Sequence, residues 1–214
     1  IFIERLKMNQ ELIAKRIKNL HNFLQEQNRK TLVVGISGGI DSAVVLGLLH
    51  TLNATYPNTY TIVPMLCPIR ESKGTTDQRE AWNLGYEVIS HFGMSENTYD
   101  LTTLSQTTSQ SFCIDTPYVQ QQVDYWLRPT AFYSLAMQSE DAILVSTINY
   151  DEWILGWFSQ YLDVLGVHPI VDINKQQVYQ LARYLCVPPA VIETPPKGGL
   201  ADGATDEEAL GFGY

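Results

Sequence analysis

The sequence predicts an α/β protein: a doubly wound, mostly parallel sheet with helices on both faces. Short apolar runs without polar alternation, such as Thr31–Ile36 and Ala142–Thr147, fit strands covered on both sides. Stretches with apolar residues three or four apart lie between such runs, as amphipathic helices require. The two patterns alternate along the chain, which is the order a parallel sheet with crossover helices needs.

Taken in order, residues 3–28 place Ile3, Leu6, Ile13, Ile17, Leu20 and Leu24 on one helical face, with Lys, Arg, Asn and Gln on the other. Thr31–Ile36 is the first strand, and helical spacing resumes over Asp41–Leu49. Tyr60–Leu66 reads as a second strand, 76–84 as a helix and Tyr86–Ser90 as a short third strand. The Ser-, Thr- and Gln-rich segment 92–116 predicts a loop with a poorly defined helix. A long helical pattern covers 118–138, and Ala142–Thr147 is another buried strand. Asn174–Leu185 is the last clear helix, with Val178, Leu181, Ala182 and Leu185 on one face. We find no internal repeat and no linker-like break, so residues 1–214 are expected to form a single domain. The tail from Glu193, with five glycines after Lys197 and three consecutive acids at 206–208, lacks a core pattern. It reads either as a solvated tail or as a lid over a site.

Bulk properties narrow the function. Fourteen Lys and Arg against 23 Asp and Glu give a formal charge of −9, the wrong sign for tracking nucleic acid. No window is long and apolar enough to span a membrane. The opening segment mixes Glu4, Arg5, Lys7 and Glu11 into its apolar residues, so no signal peptide is expected. Cys67, Cys113 and Cys186 are odd in number and widely spaced, which points to reduced, buried thiols in a cytoplasmic protein and away from a zinc site.

The junction after the first strand carries the chemistry. Ser37-Gly38-Gly39-Ile40-Asp41-Ser42 falls where open α/β sheets bind ligands, at the carboxyl ends of strands. Glycines there let backbone approach an anion, and the next helix offers N–H groups and a positive dipole end. A carboxylate beside phosphates is repulsive unless a cation lies between them, so Asp41 points to Mg²⁺. An aspartate at a helix start is also an ordinary cap, and the residue alone leaves both readings open.

The string SGGIDS resembles the phosphate loop of the N-type ATP pyrophosphatases, which cleave ATP between its α- and β-phosphates. The segments VPMLCPIRESKGTTDQREAWNLG, STINYDEWILGWFSQY and HPIVDINKQQVYQLARYLCVPPAVIETPPKGGLADGATDEEALGFGY are similar to the NAD synthetases within that superfamily. The resemblance implies an adenine nucleotide alpha-hydrolase-like fold and a two-step ligase. In that reaction the carboxylate of nicotinic acid adenine dinucleotide is adenylated, with release of pyrophosphate, and ammonia then displaces AMP. It implies ATP and Mg²⁺ as cofactors, with Gly35, Ile36, Ser37, Gly38, Gly39, Ile40, Asp41, Ser42, Thr147, Lys175 and Lys197 binding ATP. It implies Asp41 and Glu152 as metal ligands, Asp41 and Lys175 as catalytic residues, and Arg128, Gln160 and Tyr161 at the acceptor substrate. Asp41→Asn is then expected to abolish turnover and leave the fold intact. A homodimer is implied, with Trp153 and Trp157 available to an interface, and free ammonia as nitrogen source, since the length leaves no room for a glutaminase domain.

The pattern departs from the family on the acceptor side. Trp126 stands where an arginine is usual, Gln160 replaces a turn lysine, and Lys197 replaces a hydroxyl residue. Two further readings therefore stand beside the first: a related ligase acting on another carboxylate, or a nucleotide-binding relative without catalysis.

Overall fold

A computed structural model describes residues 2–70, 78–158, 166–195 and 211, with side chains from Gln10 onward. It opens with a helix, α1 (Phe2–Glu26), whose Ile13, Ile17, Leu20 and Leu24 are buried as the spacing predicts. β1 (Thr31–Gly35) leads into α2 (Ile40–Thr55), and β2 (Thr61–Leu66) into α3 (Arg79–His91). β3 (Asn97–Thr98), α4 (Thr102–Ser111) and α5 (Pro117–Ala136) follow. β4 (Ala142–Val145), α6 (Tyr150–Leu155), α7 (Lys175–Tyr184) and α8 (Pro189–Glu193) complete the order.

The four strands form one parallel sheet in the order β3-β2-β1-β4. From β1 the chain builds outward through β2 and β3, then returns to place β4 on the opposite side of β1. The direction of winding therefore reverses between β1 and β4, and a crevice opens between the turns that follow them.

Alternation along β1 supplies both faces of the sheet. Leu32, Val34 and Ile36 join α1, α2, α7 and α8 in the larger core. Val33 points the other way, into a smaller core with Met65, Cys67 and Ala136, against which Leu127, Phe132 and Leu135 of α5 pack. This is the predicted doubly wound arrangement. Burying a Leu or Val side chain on either face contributes roughly 1.5–3 kcal/mol, so register is strongly specified.

Three expectations are corrected. Residues 86–90 are not a strand but the second half of α3, where Gly85, Val88 and Ile89 are buried and Trp82 packs against the core. That is helical spacing, which a five-residue window cannot distinguish from a strand. The third strand is instead polar Asn97–Thr98, pairing with Met65 and Leu66 and too short to leave a pattern. Lastly, Cys113 and Cys186 are exposed and only Cys67 is buried. Both exposed cysteines have positive φ, 53° and 57°, just beyond the C-caps of α4 and α7, where the chain turns out of a helix.

Candidate active site

The turn after β1 is held by its own hydroxyls. The Ser42 hydroxyl donates to the Gly39 carbonyl at 2.9 Å and accepts from the Ser37 backbone N–H at 3.2 Å, while the Gly39 N–H donates to Ser37 Oγ at 3.2 Å. Gly38 has φ +84°, and a Cβ there would lie 2.0 Å from the Ala81 carbonyl oxygen of α3. Only glycine fits both the conformation and the space. Gly39 is the N-cap of α2 and brings no side chain to cap it, so the 16-residue helix presents its first amides at the crevice.

Asp41 lies in the first turn of α2, not at the cap. Its Oδ2 accepts from Lys175 Nζ at 2.5 Å and its Oδ1 from Asn149 Nδ2 at 2.9 Å. Lys175 is the first residue of α7 and its side chain is 2% exposed, against 15% for Asp41. Its backbone N–H donates to Asp151 Oδ2 at 2.7 Å, and the Tyr150 N–H donates to the Ile173 carbonyl at 2.9 Å. Those two bonds brace the start of α6 against the start of α7. Arg16 of α1 adds a further brace, pairing with Asp172 and donating to the Pro169 carbonyl at 2.8 Å.

Glu152 joins the group through Asn149. The Asn149 Oδ1 accepts from the Glu152 N–H and the Glu152 Oε2 accepts from the Asn149 N–H, each at 3.0 Å, closing a capping box on α6. Thr147 is half-buried on the same turn. Asp41, Lys175 and Glu152 are thus joined, directly or through Asn149, at the carboxyl ends of β1 and β4, from segments up to 134 positions apart.

Arg128 occupies a neighbouring position, at the carboxyl end of β2. Its Nε donates to the Cys67 carbonyl at 3.1 Å and a terminal nitrogen donates to Gln78 Oε1 at 2.6 Å. Burial holds this guanidinium below its ordinary range, with Asp124 acting against that. Burial also pushes the Cys67 thiol up to about 11, and the Arg128 charge opposes the shift. Behind Arg128, α4 and α5 share a buried polar cluster in which Ser105 donates to Asp124 at 2.6 Å and Gln120 donates to both. Gln160, Tyr161 and Lys197 lie outside the described residues, as does most of the tail read as a lid.

Asn149 and Asp151 were not among the residues singled out from the sequence. Asn149 had a signal, since N-x-x-E before a helix is a capping-box pattern. Asp151 had none, because its partner is 24 positions away. Among the described residues no group of three or more His, Cys, Asp or Glu could hold a metal on protein ligands alone. Two carboxylates held by one asparagine, Asp41 by its side-chain NH₂ and Glu152 by its backbone N–H, suit a hard cation that takes its remaining ligands from phosphate and water.

Known proteins resemble this chain in sequence and in fold. A sequence model of the NAD synthase family matches residues 12–214. An NH3-dependent NAD⁺ synthetase of Mesoplasma florum is 32% identical over 209 residues, covering 95% of this chain and 81% of that protein. One from Thermoplasma volcanium is 29% identical over 203 residues, covering 94% and 79%. Among solved structures, an NMN synthetase from Francisella tularensis aligns with a TM-score of 0.84 at 24% identity, covering 96% of this chain and 82% of that one. The NH3-dependent NAD synthetase of Campylobacter jejuni gives 0.74 at 19%, covering 86% and 76%.

Proposed function

This chain belongs to the NAD synthase family, and on that premise we propose that it is an ammonia-dependent, ATP-consuming ligase that amidates a pyridine nucleotide carboxylate, nicotinic acid adenine dinucleotide. The observation that carries the reading is the convergence of Asp41, Lys175 and Glu152 beside the uncapped start of α2.

In the first step the acceptor carboxylate oxygen forms a bond to the α-phosphorus of ATP, and the bond to pyrophosphate breaks. In the second, ammonia attacks the acyl carbon of the adenylate, AMP leaves, and a proton is lost from nitrogen. The turn from Gly35 to Ser42 receives the phosphate oxygens, through the backbone N–H groups of the first turn of α2, which have no intrahelical partner, and the Lys175 ammonium faces the charge that gathers on pyrophosphate. Thr147 and Lys197 complete the ATP contacts. Asp41 and Glu152 would hold Mg²⁺, which would neutralise negative charge on the phosphates when bound. To the acceptor we assign Arg128 and, from the family resemblance alone, Gln160 and Tyr161.

Stacking of Trp153 on Phe158, at 5.5 Å between centroids, beside exposed Ile154 and Leu155 supports a homodimer through this face. No described helix is long and apolar enough to cross a membrane, which agrees with a cytoplasmic enzyme.

A second reading keeps the chemistry and changes the acceptor. It is favoured by Arg128, whose guanidinium is turned onto the Cys67 carbonyl and Gln78. The Francisella likeness is to an NMN synthetase, so the mononucleotide is the acceptor to set beside the dinucleotide. Pyrophosphate release with Mg-ATP and ammonium decides the matter. Release that requires the dinucleotide supports the first reading, release with the mononucleotide the second. ATP binding with no release from either would overturn both and leave a nucleotide-binding protein.

A further inference from the structure

We propose that Asn149 is the positioning residue that holds Asp41 and Glu152 as one cation-binding unit; the inference rests on the metal reading above. Asn149 is fully buried on the turn after β4, and both ends of its amide are engaged. Oδ1 accepts from the Glu152 N–H at 3.0 Å, which fixes the amide orientation, because a backbone N–H can only donate. The NH₂ group then faces Asp41 Oδ1 at 2.9 Å, across 108 positions of sequence. The backbone N–H of the same residue holds Glu152 Oε2 at 3.0 Å. One residue therefore sets the position of both carboxylates.

The choice of asparagine is informative. A serine or an aspartate caps a helix about as well. Serine has no second group to reach Asp41, and aspartate has no donor and would set a like charge against it. Asparagine supplies an acceptor for the helix and a donor for the neighbouring carboxylate at once. With Oδ1 held by Asn149 and Oδ2 by Lys175, the Asp41 carboxylate cannot rotate about its own axis. Each oxygen accepts from one of these groups and has a second lone pair for a cation. Mg²⁺ demands near-ideal octahedral geometry, so fixing two of its ligands beforehand removes an ordering cost from binding.

The test uses Asn149→Ser and Asn149→Thr, which keep the cap and delete the donor, with Asn149→Ala losing both. Mn²⁺ binding is followed by electron paramagnetic resonance in the presence of a non-hydrolysable ATP analogue. The Mg²⁺ concentration for half-maximal pyrophosphate release is measured in parallel. We expect Ser and Thr variants to melt close to wild type, to bind Mn²⁺ roughly 10–100-fold more weakly, and to need correspondingly more Mg²⁺, with the KM for the acceptor unchanged. A cap variant with wild-type Mn²⁺ affinity, or a loss of metal binding only in proportion to lost thermal stability, would overturn the proposal. Wild-type protein that binds no Mn²⁺ under these conditions and turns over without a divalent cation would instead remove the metal reading itself, and this inference with it.

Discussion

The Asp41–Lys175 pair makes a demanding prediction about stability as well as activity. The two charges are 2.5 Å apart, and the lysine side chain is 2% exposed. Asp41→Ala removes one carboxylate at 2.5 Å from that buried ammonium and takes the acceptor from Asn149 Nδ2. Removing one partner of a buried pair costs about 3–5 kcal/mol. Because Asp41 is itself 15% exposed, water can partly replace it, and the lower end, about 3 kcal/mol, is expected. For a chain of this size that corresponds to a fall in Tm of about 6–12 °C. Lys175→Met in the same background removes the buried charge itself and keeps the volume filled. The double variant should then recover about 2 kcal/mol relative to the sum of the single losses. Urea unfolding with matched slopes measures all four proteins, and all three variants should lack turnover. A single Asp41→Ala variant within about 0.5 kcal/mol of wild type, or strictly additive losses, would refute the claim that these groups depend on each other.

Three other outcomes follow from the same structure. Gly38→Ala forces a methyl group onto the Ala81 carbonyl at a positive φ, so it should cost about 1–3 kcal/mol and weaken ATP binding, both readable by thermal melts with and without nucleotide. The Arg16 guanidinium holds the Asp172 carboxyl below the usual carboxylate value, so its contribution is present above about pH 4 and is lost as pH falls further. Wild type and Asp172→Asn should therefore differ modestly in Tm at neutral pH, by less than about 1 kcal/mol for so exposed an acid, and converge in acid. At pH 8 a thiol reagent should modify Cys113 and Cys186 quickly, whereas Cys67, buried and with its thiol pushed up to about 11, reacts only on unfolding; mass spectrometry of the native protein reads this directly.

Much of the fold was legible because its signals are local. The unbroken apolar runs of β1 and β4, the spacing of α1 and α7, and the two glycines before Asp41 are decided within a few residues by side-chain period and backbone conformation. The glycine turn after β1 could be located for the same reason, since a strand, a turn and a helix start are neighbours in the chain. The α3 segment misled because a strand and half an amphipathic helix share one short apolar pattern, and only the packing of Val88 and Ile89 against the core separates them.

The sequence by itself determined that a glycine-rich turn with one acid follows a buried strand, in a chain of net charge −9. Tertiary structure alone decided what that acid touches. The strand order β2-β1-β4 sets the turn bearing Asn149 next to the one bearing Asp41, and the packing of α7 on α2 brings Lys175 to both. Hydrogen bonds of about 3 Å between residues more than 100 positions apart leave no trace in local pattern, because their geometry exists only once the sheet has assembled.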